Sequence, residues 1–84
     1  MKFNLLYTQR ASRDVGNLER RIRLRIARSL LRFQEDPLKC AEKISDSKLG
    51  SYRFRIGDYR VIFDIEGQDV VILRIGHRRE IYRR

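Results

Sequence analysis

Hydrophobic positions change their period along this chain of 84 residues. Lys2 to Tyr7 reads as a first strand. Thr8 follows as the cap of a short helix that reaches about Val15 and is ended by Gly16. Asn17 then caps a second helix, predicted from Leu18 to about Glu35. Glu19 stands in its first turn, where a carboxylate suits the helix dipole, and Pro37 lies beyond its end as a stop. On that helix Leu18, Ile22, Ile26, Leu30 and Phe33 recur every three or four residues, the pattern of a face packed on a core. Leu24, Ala27 and Leu31 make a flanking strip that either packs on the first helix or is left for a partner to cover.

From residue 47 the period falls to two. Ser51-Tyr52-Arg53-Phe54-Arg55-Ile56 alternates strictly, with Tyr52, Phe54 and Ile56 inward and Arg53 and Arg55 outward. Gly57-Asp58 makes a two-residue turn with glycine first, as a type II′ hairpin prefers. Tyr59 to Ile65 forms the next strand, Glu66-Gly67-Gln68-Asp69 the next turn, and Val70 to about His77 the last strand. The predicted order is βααβββ with a short tail. It describes an α+β fold with two N-terminal helices on one face of a small, mainly antiparallel four-stranded sheet. Residues 1–84 read as a single domain without linker or repeat.

Charge narrows the partners. The chain carries 20 basic against 11 acidic side chains, a net charge of +9 and a pI near 10.6, so polyanions are expected. Sixteen of the basic residues are arginine, whose guanidinium forks onto phosphate or carboxylate through two parallel hydrogen bonds. Arg21, Arg25, Arg28 and Arg32 form a third stripe on the second helix: a solvated face, or a contact to ribosomal RNA or to an acidic binding protein. Apolar runs such as Val70 to Leu73 fall far short of the roughly 20 residues that span a bilayer. The N-terminus lacks the apolar core of a signal peptide, and the single cysteine, Cys40, has no internal partner. A cytoplasmic location is expected, with Cys40 a packed or loop thiol rather than a nucleophile.

The tight turn at Gly57-Asp58 sets Arg55 directly against Arg60 on the exposed side of the sheet, with Arg53 two positions along. Opposed like charges destabilise a strand pair by a fraction of about 1 kcal/mol, a conflict that a bound anion relieves, so these arginines read as a phosphate site, with incidental surface charge the alternative. In the simplest register through the second turn, Arg60 lies across from Ile75. His77 then joins the arginine face and Arg78 points to the other. A bulge near Gly76 would exchange the two, and both arrangements stay open. His77 is a candidate proton carrier, histidine being the side chain that titrates near neutrality, or a polar strand end. Tyr82 is placed to stack on a base, to exchange a proton, or to pack the tail down. No metal-binding Cys/His spacing, glycine-rich phosphate loop or serine-histidine-acid set is present, so chemistry without metal or cofactor is expected. RNA brings its own nucleophile, the 2′-hydroxyl, and needs only orientation, proton transfer and charge neutralisation.

Tyr52-Arg53-Phe54-Arg55-Ile56-Gly57-Asp58-Tyr59-Arg60-Val61-Ile62-Phe63, followed by Leu73-Arg74-Ile75-Gly76-His77-Arg78-Arg79-Glu80-Ile81-Tyr82, resembles the RelE family of the RelE/ParE toxin superfamily. The resemblance covers nearly the whole chain and agrees with the βααβββ order, which it identifies as a RelE-like fold. It implies a type II toxin held inactive by an acidic RelB-like antitoxin, with which it forms an oligomer. Released, such a toxin cuts mRNA in the A site of the 70S or archaeal ribosome. Carried over, Arg60 matches the arginine that stabilises the transition state, Arg78 a second phosphate-binding arginine, and Tyr82 the tail tyrosine that stacks on or activates the nucleotide. The gap from Gly76 to Tyr82 is shorter here than in the bacterial prototype. Arg53 and Arg55 stand where relatives often have lysines; arginine is a poor general base, which shifts proton transfer toward His77, Tyr82 or the ribosome. The ParE branch, which binds DNA gyrase without cutting RNA, and a passive RNA-binding protein are the alternative readings.

Overall fold

The computed structural model describes residues 2–45 and 48–82. Its elements run in the order β1 (Asn4–Tyr7), α1 (Gln9–Gly16), α2 (Arg20–Phe33), α3 (Pro37–Cys40), β2 (Glu42–Lys43), β3 (Tyr52–Ile56), β4 (Tyr59–Glu66) and β5 (Asp69–His77). The sheet has the strand order β1-β5-β4-β3-β2, with β1 parallel to β5 and the other neighbours antiparallel. The helix-covered α+β architecture is the expected one. The strand count is five rather than four because Glu42–Lys43 pairs with the edge of β3, and two residues are too few to display an alternation. Pro37, expected only as a stop, opens the short α3, where its missing N–H costs no hydrogen bond.

α1 starts as predicted: Thr8 is extended and its hydroxyl accepts the Ala11 N–H at 3.1 Å, satisfying an amide that a helix start leaves unpaired. Its end departs from expectation. Gly16 is still helical and has no positive φ, and Asn17 closes α1 by donating its N–H to the carbonyls of Arg13 and Asp14. Asn17 therefore does not cap α2, whose N-cap is Glu19 without a side-chain capping bond.

α2 buries Ile26 and Leu30, with Leu18, Ile22 and Phe33 partly buried on the same cluster, as their spacing predicts. The core lies between this stripe and the inner face of the sheet. There Phe33, Phe54, Phe63 and Tyr52 form a row of rings with successive centroid separations of 4.6, 4.2 and 5.6 Å. A fully buried side chain of this size stabilises by about 1.5–3 kcal/mol. Leu24, Ala27 and Leu31 are exposed, so the flanking strip does not pack on α1. Ala27 merely borders a crevice of about 270 Å³ between the helices, shared with Tyr7, Ser12 and Val15. Among the described residues no helix is long and apolar enough to cross a membrane.

Beyond Ile72 the pairing with β1 ends, and α1 satisfies the edge of β5 instead. The Thr8 hydroxyl donates to the Leu73 carbonyl at 3.3 Å, while Asp14 Oδ2 accepts from the Ile75 N–H at 3.0 Å and from Arg74 Nε at 2.9 Å. Here the β4–β5 register slips. Phe63 pairs with Ile72 and Ile62 with Arg74, which leaves Leu73 as the extra residue of a bulge. Arg60 thus faces Gly76 rather than Ile75, and His77 faces Tyr59. The unslipped register would have turned Arg74 into the core and Ile75 outward; the slip puts Ile75 beside Val61, only 2% exposed.

The outer face of the sheet has apolar cover of its own. Ile62 and Ile81 are buried without belonging to the main core. Gly50, in the segment leading into β3, lies over Ile62 and Leu73. A Cβ there would stand 2.7 Å from Ile62 Cγ2 and 2.9 Å from Leu73 Cδ1, at a φ of +150°. Gly50→Ala is therefore expected to destabilise the fold by about 1–3 kcal/mol through overpacking and backbone strain. The effect should appear as a lower urea midpoint with an unchanged m-value. An unchanged midpoint would mean that this segment lifts from the sheet without loss.

Candidate functional site

The β3–β4 turn brings the arginines together. Arg55 pairs with Arg60 and Ile56 with Tyr59, as a two-residue turn requires. Gly57 has a φ of +59° while Asp58 has no positive φ, the signs of a type II′ turn. Arg60 is 6% exposed, and its Nη1 donates at 2.9 Å to both the Gly57 and the Tyr59 carbonyls. A buried cation is tolerable when dipoles of this kind replace its water. Gly76 across from it carries no side chain, and Ile81 fills that space: a Cβ on Gly76 would lie 3.6 Å from Ile81.

Arg53 and Arg55 are held differently. Glu42, on the edge strand β2, accepts from Arg53 Nε at 3.0 Å through one carboxylate oxygen and from Arg55 Nη1 at 3.4 Å through the other. The Arg53 hydrogen bond, with the charge of Arg55 beside it, holds the Glu42 carboxyl below the usual carboxylate range. Arg53 Nη1 also donates to the Tyr82 hydroxyl at 2.8 Å. That bond, followed by the one to Glu42, raises the Arg53 pKa further above its ordinary value. Glu42 is a contact of this arginine cluster that the sequence reading missed, since pairing between a two-residue strand and a neighbour about ten residues on leaves no local periodicity.

The segment after β5 completes the face. The His77 carbonyl accepts the N–H groups of Glu80 and Ile81, each at 2.9 Å, and His77 Nδ1 accepts the Arg79 N–H at 3.1 Å. This turn returns Ile81 over Gly76 and sets Tyr82 against Arg53. The imidazole itself contacts Tyr59 edge-on, with ring centroids 5.4 Å apart. The simplest register put His77 on the arginine face. The bulge at Leu73, three residues earlier than the expected alternative near Gly76, turns it to the helix side. Arg78 comes to the tip of the β3–β4 hairpin, where its N–H donates to the Asp58 carbonyl at 2.7 Å and its Nε lies 3.6 Å from Asp58 Oδ1. Arg53, Arg55, Arg60 and Tyr82 therefore share one face, Arg78 stands at its end, and His77 lies away from it.

A second basic surface adjoins the first. A groove of about 570 Å³ between α2 and the end of β3 is lined by Arg21, Arg25, Arg28 and Arg32, together with Arg55 and Ile56. Among the described residues none of the four α2 arginines pairs with a carboxylate. The Arg25 guanidinium rests on the turn, since a Cβ on Gly57 would come 2.8 Å from its Nη1. Arg55 belongs to both surfaces.

Residues 5–82 match the family described as ParE toxin of type II toxin–antitoxin system, parDE. Over its full length the chain is 31% identical to all of toxin RelG of Mycobacterium tuberculosis. It is 30% identical to toxin RelE3 of Methanocaldococcus jannaschii over 67 residues, 80% of this chain and 76% of that one. Its fold is similar to a chain of the M. tuberculosis toxin–antitoxin complex RelBE2, with a TM-score of 0.82, 26% identity, and coverage of 92% of this chain and 99% of that one. A chain of the RelB–RelE complex from Methanococcus jannaschii gives a TM-score of 0.72 at 26% identity, with 93% and 95% covered. An E. coli RelE mutant in the free state, at 20% identity and a TM-score of 0.77 over 98% and 92% of the two chains, shares the fold. With the helix-covered sheet, the opposed arginines and the returning tail all in place, the chain belongs to the RelE family of the RelE/ParE toxins of type II toxin–antitoxin systems.

Proposed function

We propose that this toxin is a ribosome-dependent endoribonuclease that cuts mRNA within the A-site codon, using its arginines rather than a metal ion. The observation that carries the reading is the convergence of Arg53, Arg55, Arg60 and the Tyr82 hydroxyl on one face, with Arg60 fixed by two carbonyls. A guanidinium held in that way is oriented before any substrate arrives, which is how preorganised charge lowers a barrier. In the reaction the 2′-oxygen attacks the adjacent phosphorus as its proton leaves. The bond from phosphorus to the 5′-oxygen breaks, and that oxygen takes up a proton. The products are a 2′,3′-cyclic phosphate and a 5′-hydroxyl. Arg60 and Arg78 neutralise the charge growing on phosphate, and Tyr82 stacks on or activates the nucleotide. With His77 on the helix side, proton transfer falls to Tyr82 or to groups of the ribosome.

The inhibiting partner in this reading is an acidic RelB-like antitoxin that forms an oligomer with the toxin. The RelB–RelE assemblies among the similar structures support it. The α2 groove suits an acidic segment with apolar side chains, because four arginines with no carboxylate partner among the described residues stand beside Ile22, Phe33 and Ile56. The edge of β3 past Arg53 is also beyond the reach of β2. Among the described residues the one aromatic lining this groove, Phe33, is half-buried against the core rather than free to stack bases, which favours a peptide there over RNA.

Purified toxin added to programmed ribosomes is expected to cut within the A-site codon and leave a cyclic phosphate, with naked mRNA spared. Arg60→Ala should lower the single-turnover rate by roughly a hundredfold to a thousandfold while leaving ribosome association nearly unchanged. Uncut mRNA from folded, antitoxin-free protein, together with inhibited DNA supercoiling, would move the reading to gyrase. For the partner, the double change Arg25→Ala and Arg28→Ala is expected to slow antitoxin association about tenfold at low salt and little at high salt. Unchanged antitoxin binding with weaker ribosome association would assign the stripe to ribosomal RNA instead.

A further inference from the structure

Among the described residues, every anion that Arg53 and Arg55 meet belongs to one side chain. Glu42 spans the pair with its two oxygens, at 3.0 and 3.4 Å, on the face that the proposed function gives to the RNA backbone. We propose that Glu42 is an internal stand-in for phosphate, holding the anion position between Arg53 and Arg55 until a backbone phosphate of the RNA displaces it. The inference rests on the ribonuclease reading and adds the step by which the strand enters the site.

The chemistry of exchange is matched. A carboxylate and a phosphate both present two oxygens to the guanidinium fork, so the site that accepts one accepts the other. The place is also easy to vacate. The Arg53, Arg55 and Glu42 side chains are 32%, 57% and 43% exposed, and ion pairs this open to water are individually weak. Glu42 sits on a two-residue edge strand, held beyond its own ladder by the Ile44 N–H to the Ser51 carbonyl, so its departure unravels nothing of the core. Arg60, by contrast, is tied to main-chain carbonyls and, among the described residues, pairs with no carboxylate.

Displacement has a defined result. Arg53 divides its fork, giving Nε to Glu42 and Nη1 to the Tyr82 hydroxyl. A phosphate that takes the Glu42 side of Arg53 is set one guanidinium away from that hydroxyl, while Arg53 still holds Tyr82 in place. Glu42 thereby keeps the arginines parted and aligned in the free toxin, and it stays ionised across the physiological range because Arg53 holds its carboxyl low. The competition with phosphate therefore persists at any cellular pH.

The test measures binding of a short single-stranded RNA, methylated at every 2′-oxygen to prevent cleavage, by fluorescence anisotropy over a salt series. Four full-length proteins are compared with the wild type: Glu42→Gln, Glu42→Ala, Arg53→Ala, and Glu66→Gln at an exposed acid on the far turn. Both Glu42 variants are expected to bind roughly five- to tenfold more tightly at low salt, with a salt slope steeper by about one released ion. Glu66→Gln should gain less than about twofold. Equal or weaker binding by both Glu42 variants would overturn the proposal, since Glu42 would then serve only to orient the arginines. An equal gain from Glu66→Gln would also overturn it, by reducing the effect to net charge. The underlying RNA reading fails separately, if Arg53→Ala binds as tightly as the wild type or if no protein in the series binds this RNA either free or in the A site of programmed ribosomes.

Discussion

The Gly57-Asp58 turn is where the geometry of the site is decided. Its two residues hold two of the arginines directly: the Gly57 carbonyl accepts from Arg60, and Asp58 takes the Arg78 N–H on its carbonyl and the Arg78 guanidinium near its carboxylate. Arg25, from α2, lies against the Gly57 backbone on a side that only glycine leaves open. Three cations from three parts of the chain are thus referenced to one tight turn. The positive φ that the turn needs and the space that Arg25 needs both select glycine. A type II′ turn also matches the twist of its strands, so the opposition of Arg55 and Arg60 follows from the turn and needs no other contact.

Those opposed charges are relieved in two ways that differ in kind. Arg60 is buried and bonded to main-chain carbonyls, partners that cannot leave without unmaking the hairpin. Arg53 and Arg55 are solvated and bonded to a side chain on a frail edge strand. A fixed charge suits a transition state, because its surroundings need no rearrangement as charge develops. An exchangeable pair suits binding, because an incoming anion replaces an outgoing one at little net cost in desolvation. Burial and bonding partners thus set Arg60 apart from its neighbours on β3, independently of the family to which the chain belongs.

The sequence made visible the parts of this fold that repeat. Periods of 3.6 and 2.0 disclosed the core stripe of α2 and the alternation of β3, and the glycine-first turn disclosed the register of Arg55 against Arg60. Features of one or two residues were hidden. β2 is too short to alternate, and with it Glu42 was overlooked. The Leu73 bulge did leave a signal. Val70, Ile72 and Ile75 break the period of two by one residue, and only a slip lets all three point inward. That one-residue offset is enough, on sequence grounds alone, to turn His77 toward Tyr59 and separate it from the arginines. The end of α1 misled for a different reason: glycine followed by asparagine fits both a helix stop and a new cap, and the hydrogen bonds of Asn17 serve only the first.

His77 still matters to the site, from the wrong side of the sheet. Its carbonyl and its Nδ1 together take three main-chain N–H groups, from Arg79, Glu80 and Ile81, and so define the turn that sends the tail back over Gly76. The burial of Ile81 locks that return, and only then does the Tyr82 hydroxyl reach Arg53. The tyrosine that the family resemblance singles out is therefore positioned by a histidine that does not touch it, through a turn whose face was chosen by a bulge at Leu73. A short tail suffices here because the chain turns immediately after β5. The turn after β5 brings Tyr82 onto the arginine face within the few residues that follow Gly76.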